Sequence, residues 1–203
     1  MTAPLVVSRQ KLAKRLPLGS RLLHWGLTAV LLVAPLTASA QELDEYEVKA
    51  AFLYNFTKFV EWPSASGAPV FAVFNLCILG DDPFGSAIDQ LVRGKTVYGR
   101  PLQVRRLKET AEARQCQIVF VRKGEETKAE KLVNTVHGLP ILTVGEHHEF
   151  GRIGGMIYLA MKDNRVTIVI NVPATEKAGL RVSAKLMSVA KQFKENEGGD
   201  NYQ

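Results

Sequence analysis

Continuous apolar runs that alternate with helical segments constrain the fold of this 203-residue chain more than any other feature. The runs at residues 71–79, 117–121 and 139–144 are rich in β-branched and aromatic side chains, as expected of strands buried on both faces of a sheet. Helical segments at residues 83–92 and 125–136 separate these runs. Strands that alternate with helices predict a three-layer α/β/α sandwich with a mostly parallel sheet.

The C-terminal part of the chain is expected to add an antiparallel hairpin. Two strand-like segments, residues 154–161 and 166–171, flank an Asp-Asn pair at residues 163–164 that favours a turn. We expect this hairpin to place one antiparallel strand at an edge of the sheet. A final helix is predicted over residues 183–193, with the Ser183 hydroxyl as its cap.

An amphipathic helix is predicted over residues 44–60, before the first buried strand. It ends where Trp62 precedes Pro63, because a residue before proline is pushed out of the helical region. Its predicted apolar stripe has spacings of three and four residues: Val48, Phe52, Phe56 and Phe59.

The first forty residues have the order of a secretory signal. A basic start is followed by an apolar run at residues 27–36 and by the small residues 38–40. Even counted from Trp25, the run is about 12 residues long, which is too short to cross a bilayer as a helix. We therefore expect cleavage between Ala40 and Gln41 and export of the rest of the chain, with an uncleaved N-terminal anchor as the alternative.

The charge of the expected mature chain argues against nucleic-acid binding. Five of the 26 basic residues and none of the 20 acidic residues precede Gln41, so the remainder carries a net charge of +1. A nucleic-acid interface needs a clustered basic surface. Residues 41–193 are long enough for a single domain with a sizeable core, and the polar, glycine-containing residues 194–203 are expected to form a disordered tail.

Two cysteines, Cys77 and Cys116, lie in the part expected to be exported. An even number of cysteines in an oxidising compartment favours a disulfide, and two buried thiols in neighbouring strands are the alternative. A metal pair is disfavoured because no second cysteine or histidine lies at ligand spacing from either residue.

Two loops that follow predicted strands carry the candidate ligand-binding groups. Asp81 and Asp82 follow the first strand, as in a phospho-receiver, but the later aspartate and lysine of such a site are missing. The loop over residues 145–151 contains the best candidates for a metal or acid–base site: Glu146, His147, His148 and Glu149. Adjacent histidines on an extended loop point in opposite directions, which disfavours joint coordination of one ion. The alternative is an exposed, pH-sensitive loop, and we predict no metal and no cofactor.

Motifs of nucleophilic catalysis are missing from the sequence. There is no Gly-x-Ser-x-Gly elbow, and Ser183 is better used as a helix cap. The sequence therefore favours a protein that is not an enzyme.

A set of ordered segments resembles the YfiR family of periplasmic proteins over essentially all of residues 45–191. No single segment is decisive, but the order of the set is specific. The segments are YEVKAAFLYNF (46–56), FVEWP (59–63), CILGDDPF (77–84), LTVG (142–145), FGRIGGMI (150–157), IN (170–171) and AGLRVSAKL (178–186).

The resemblance implies a periplasmic negative regulator in a Gram-negative cell. Such a protein binds the periplasmic part of an inner-membrane diguanylate cyclase and holds it inactive, so that cyclic-di-GMP synthesis is repressed. The resemblance also implies an outer-membrane, peptidoglycan-binding lipoprotein that sequesters the repressor. The oligomeric state, including a homodimer, is left open.

Repression by contact requires surface residues that a partner can bury. We expect Phe52 and Phe56 in the core, and Tyr46, Tyr54 and Trp62 on the surface. The segment around Phe150 is a second expected apolar patch.

A rival hypothesis is a small-molecule binder that uses the loops at residues 81–84 and 145–150, including Asp81, Asp82, Phe84 and Phe150. A metal-dependent hydrolase built on His147 and His148 is the weaker rival.

Overall fold

A computed structural model of the protein describes residues 36–63 and 72–194, with side chains from Glu45 onward. The chain divides into two units, Met1–Gln41 and Glu42–Gln203. Residues 1–35 of the predicted signal, which extends to Ala40, lie outside the described residues, as does the predicted tail after residue 194. The predicted cleavage point at Ala40 lies where side chains are not described. The cleaved signal and the disordered tail therefore stay predictions.

Helices and strands alternate along the described chain. The helices are α1 (Leu36–Phe59), α2 (Ser86–Val92), a 3₁₀ helix (Thr110–Gln115), α3 (Glu126–Thr135), α4 (His148–Arg152), α5 (Val172–Lys177) and α6 (Ala184–Met187). The strands are β1 (Val60–Glu61), β2 (Phe74–Leu79), β3 (Thr96–Val97), β4 (Arg100–Leu107), β5 (Ile118–Val121), β6 (Leu142–Gly145), β7 (Ile157–Lys162), β8 (Arg165–Ile170), β9 (Arg181–Val182) and β10 (Lys191–Gln192).

The main sheet of the described residues has eight strands in the order β10-β8-β7-β6-β5-β2-β4-β3. The five strands from β4 to β7 are parallel to one another, and β3 and β8 are antiparallel to their inner neighbours. A separate two-stranded ribbon pairs β1 with β9. The predicted α/β class and the β7–β8 hairpin are confirmed.

The sequence predicted that the hairpin would place a strand at an edge of the sheet, and this prediction is wrong. β10 pairs with β8 in parallel, with Lys191 opposite Val169, and becomes the outer strand. The predicted final helix over residues 183–193 is therefore wrong in its second half. The helix begins at the Ser183 cap and stops at Met187, and the Phe193 amide then donates to the Ile170 carbonyl at 2.8 Å.

Alternate residues of the buried strands supply two separate cores. Leu76 and Ile78 of β2 face a core shared with α1 and α2, whereas Cys77 and Leu79 face a core shared with α3. Side chains of successive strand residues point to opposite faces, so a strand covered by helices on both sides is apolar throughout. This arrangement is the predicted three-layer sandwich.

The buried stripe of α1 differs from the predicted one. Val48 is 40% exposed and Phe52 is half-buried, whereas Phe56 is buried as expected. The residues of α1 that face the core repeat with helical spacing and include a lysine: Tyr46, Lys49, Ala50, Leu53, Phe56 and Thr57. The apolar stripe was misplaced because the buried face contains a charged side chain, which a hydrophobic pattern leaves out.

The loop predicted over residues 145–151 contains the short helix α4, and Phe150 is fully buried. Its ring lies between two glycines. A Cβ added to Gly145 would lie 2.5 Å from the Phe150 Cγ, and one added to Gly155 would also collide with the ring. Phe150 is therefore a core residue, and the expectation of a surface patch around it is wrong.

Cys77 and Cys116 form the predicted disulfide, with 6.1 Å between their Cα atoms. The bond joins β2 to the residue that ends the 3₁₀ helix, and both cysteines are buried in the core beneath α3. It closes a 39-residue separation. Such a cross-link stabilises a protein chiefly by restricting its unfolded chain.

None of the helices in the described part of the chain has the length and apolar character needed to cross a membrane.

The double substitution Cys77→Ala with Cys116→Ala is expected to lower the free energy of unfolding by about 4 kcal/mol, because it removes the closure of a long loop. Urea unfolding followed by circular dichroism measures the change. A reductant should destabilise the native protein by a similar amount and leave the double variant unaffected. A loss below about 1 kcal/mol in the variant would contradict this account of the bond.

Candidate functional site

Three parallel strands end beside the middle of α1. The segments that follow β2, β5 and β6 carry Phe84, Arg122 and Glu146, and these residues meet side chains of α1. The carboxyl edge of a parallel sheet is where α/β proteins usually bind ligands. This edge of the sheet is therefore the candidate functional site.

A buried ion pair joins α1 to this edge. Lys49 is 3% exposed and its Nζ lies 2.6 Å from Oε1 of Glu146, which is 7% exposed. Lys49 also pairs with Glu45 one helical turn earlier. The second oxygen of Glu146, Oε2, accepts a hydrogen bond of 2.6 Å from the Lys123 backbone amide. A buried charge is tolerated only when it is paired and hydrogen-bonded, and both charges meet this condition.

Tyr46 extends this ion pair into a network. Its hydroxyl donates to Glu146 Oε2 at 3.4 Å and accepts from Arg122 Nε at 3.1 Å. Burial, and then the negative charge of Glu146, raise the pKa of Tyr46 to about 12. The phenol therefore keeps its proton at any physiological pH and stays a hydrogen-bond donor to the carboxylate.

Aromatic contacts surround the polar network. The rings of Tyr46 and Phe84 pack edge to face with 5.6 Å between centroids, and Phe84 packs on Phe120 at 4.8 Å. Lys49 Nζ lies 4.7 Å from the centroid of the Tyr46 ring, within the range of a cation–π contact. The network is thus enclosed on the side of the core.

A second charged cluster lies next to it, around Arg106 at the end of β4. Its Nε donates to Asp82 at 2.9 Å and its Nη1 donates to Asp89 at 2.8 Å. The hydrogen bond from Arg106 lowers the pKa of Asp89 below its usual value. Asp82 also accepts from the Phe84 amide at 2.8 Å. This carboxylate, predicted to be a ligand-binding group, is engaged within the protein, whereas Asp81 is exposed.

The two adjacent histidines face different surroundings. His147 caps α4, with Nδ1 accepting from the Phe150 amide at 3.2 Å, and burial lowers the pKa of His147. His148 packs against Tyr158 and Phe193. The described residues contain no group of three or more His, Cys, Asp or Glu side chains that could hold a metal, and the loop is not exposed in the way that the sequence suggested.

The remaining predicted site residues divide between core and surface. Tyr46 and Phe84 are 8% and 5% exposed, so the expectation that Tyr46 lies on the surface is wrong. Tyr54 and Trp62 are half-buried. Whether any of these residues binds a partner or ligand stays a prediction.

Lys49 and Glu146 form a buried ion pair at this edge. Glu146 was predicted as a candidate for a metal or acid–base site, but its pairing with Lys49 was not predicted, and Lys49 was not predicted as a site residue. A signal was present: Lys49 stands at helical spacing between the buried Tyr46 and Leu53, and Glu146 directly follows an apolar strand. The pairing itself depends on a tertiary contact across 97 residues, which no local pattern encodes.

The charged groups at this edge bind one another, and this arrangement attaches α1 to the ends of β5 and β6. Such a network fixes the position of a helix and of the surface that the helix presents. We therefore regard it as the structural base of the functional surface.

Comparison with known proteins identifies relatives of the chain. A family model described as YfiR/HmsC-like matches residues 46–191. Among solved structures, a conserved domain protein from Vibrio cholerae O1 biovar El Tor strain N16961 is 10% identical, with a TM-score of 0.48 over 73% of this chain and 60% of that chain. The ABC domain in complex with L-Trp from Streptococcus pneumonia is 9% identical, with a TM-score of 0.46 over 69% of this chain and 58% of that chain. At this level of similarity, neither structure supports an inference about function.

Substituting Glu146→Gln is expected to lower the free energy of unfolding by about 3 kcal/mol, because it leaves the buried Lys49 ammonium without its buried carboxylate partner. Chemical denaturation measures the loss. Glu149→Gln, at a glutamate whose side chain is 56% exposed, is the matched control and should cost less than about 0.5 kcal/mol. Equal losses in the two variants would show that the buried ion pair contributes no more to the free energy of unfolding than an exposed glutamate does.

Alkaline conditions are expected to destabilise the protein through Tyr46. The pKa of Tyr46 is about 12 in the folded protein and 10.0 for an ordinary tyrosine. The stabilisation of the folded state by the protonated phenol is therefore complete below pH 10 and is lost as the pH rises towards 12. The loss is up to about 3 kcal/mol. Denaturation curves of the native protein and of Tyr46→Phe between pH 9 and about 12 measure it, since the other titrating groups are common to both. Parallel pH profiles would contradict the assignment.

Proposed function

Because the chain belongs to the YfiR/HmsC-like family, we propose that it is a non-catalytic periplasmic regulator that binds an inner-membrane diguanylate cyclase. It binds the periplasmic part of the cyclase and represses cyclic-di-GMP synthesis. The observation that carries the proposal is the family match over residues 46–191, which spans nearly all of the described domain. Proteins of this family are periplasmic regulators of diguanylate cyclase signalling.

Repression requires the regulator to bind the inactive conformation of the cyclase more tightly than the active one. A rigid surface meets this need better than a flexible one, since less ordering entropy is lost on binding. The ion pair between Lys49 and Glu146 supports such rigidity, because it attaches α1 to the sheet.

The surface best suited to this contact is the Trp62–Tyr98 patch, formed by these two aromatic residues near β1. Tyr98 is 61% exposed, and its hydroxyl donates to the Val60 carbonyl at 3.4 Å. Trp62 is half-buried and packs edge to face on Phe74 with 5.1 Å between ring centroids. Tyrosine and tryptophan are the residues most enriched at the energetic centres of protein interfaces.

The proposed mode of action needs no chemistry from this protein. In the proposed circuit, an outer-membrane, peptidoglycan-binding lipoprotein competes for the regulator and thereby releases the cyclase. Export by the N-terminal signal would bring the regulator to the compartment where both partners meet it.

Substituting Tyr98→Ser is expected to weaken binding to the periplasmic part of the cognate cyclase at least tenfold, because a large aromatic anchor is lost. Binding is measured by surface plasmon resonance with the purified proteins, and cellular cyclic-di-GMP should rise in the variant strain.

Val189→Ser is the matched control for this experiment. Val189 is 70% exposed but lies beyond α6, outside the Trp62–Tyr98 patch, so its substitution should leave both readouts unchanged. Equal effects of the two substitutions would reject the patch. Failure of the native protein to bind any periplasmic sensor domain of a cyclase would reject the proposed function.

A further inference from the structure

A cavity of about 270 Å³ lies at the opposite, amino edge of the sheet, between β6 and β7. These strands first pair at Val144 and Ile157, although β6 already begins at Leu142. Before that point they diverge, and the Met156 amide donates to the Thr143 hydroxyl at 3.1 Å instead of continuing the ladder. The ends of α3 and α4 and one side of α5 surround the gap.

The inner wall of this cavity is apolar. Val133, Val136, Met156 and Ala178 line it, and each is less than one-tenth exposed. Two of them belong to the core beneath α3 and two to the core beneath α1. The cavity therefore opens where the two cores approach each other, and its wall favours an apolar body of small size.

The rim of the cavity carries positive charge. Arg152 and Lys177 are exposed and line the opening, whereas no carboxylate does so among the described residues. Arg152 pairs with Glu149 at 3.3 Å, but both side chains are more than half exposed, and a pair of this kind contributes little energy. Lys177 has no ion pair within the described part of the chain.

We propose that this cavity binds a small organic monocarboxylate. The carboxylate meets Arg152 and Lys177 at the rim, and the amide of Asn134, which also lines the cavity, can donate a hydrogen bond to it. The apolar part of the ligand covers the wall formed by residues such as Val136 and Met156. A fully polar anion such as phosphate would leave this wall unused.

The size of the cavity limits the ligand. A volume of about 270 Å³ lies just below the range of about 300–1,000 Å³ that holds drug-sized molecules, so an acid with the bulk of benzoate or hexanoate is the expected class. The site shares no residue with the Lys49–Glu146 network or with the Trp62–Tyr98 patch. The inference therefore does not rest on the proposed function.

Isothermal titration calorimetry of the purified protein, with benzoate and hexanoate as probes, tests the inference. At least one acid should bind with a dissociation constant in the millimolar range or below, and binding should weaken with added salt. Hexylammonium and inorganic phosphate should bind at least tenfold more weakly than that acid.

Three variants locate the binding site. Lys177→Met and Arg152→Met should each weaken acid binding at least fivefold, and Ala174→Leu should abolish it by filling the cavity. Lys131→Met is the matched control, because Lys131 is exposed on α3 and does not line the cavity. Thermal unfolding followed by circular dichroism checks that each variant is folded.

Absence of acid binding by the native protein would overturn the inference. Acid binding that survives both charge substitutions, or equal binding of hexylammonium, would overturn it as well. None of these results bears on the cyclase, since the experiment contains no second protein.

Discussion

The buried ion pair between Lys49 and Glu146 is the interaction on which the position of α1 depends. Removing two charges from water costs several kcal/mol per ion, and the pair repays this cost only with good geometry and further hydrogen bonds. Glu45, Tyr46 and the Lys123 amide supply these contacts. An apolar pair could hold α1 as tightly. A charged pair keeps its hydrogen bonds only when the helix and the strand ends meet in one relative position.

This requirement joins three distant parts of the sequence. Tyr46 contacts both Arg122 and Glu146, so α1 is positioned by the residues that follow β5 and β6 together. The aromatic contacts of Tyr46 with Phe84 add the segment that follows β2. The orientation of α1, and of the β1 strand that continues it, is thus set by the whole carboxyl edge of the sheet. The shape of the surface around α1 and β1 therefore depends on that edge of the sheet.

Much of the fold could be predicted from the sequence because parallel strands covered on both faces are continuously apolar, as β2 and β5 are. The disulfide was also predictable, from the number and expected location of the cysteines.

The stripe of α1 was misassigned because the buried Lys49 interrupts the hydrophobic pattern. Tyr46 and Phe150 were wrongly predicted to lie on the surface for a related reason. Tyr46 is buried beside Glu146, and the Phe150 ring is buried between two glycines, and a local sequence pattern shows neither contact. The end of the chain was misassigned because Lys191 and Gln192 have no strand-like pattern, and only pairing with β8 makes them a strand.

The outer strands of the main sheet, β3 and β10, are each two residues long within the described chain. They pair with only two residues each of the longer strands beside them, Arg100 and Pro101 of β4 and Val169 and Ile170 of β8. Most of the outer side of β4 and β8 is therefore left without a strand partner within the described chain. Backbone amides and carbonyls along such an edge are a template on which an extended peptide can align as a further strand.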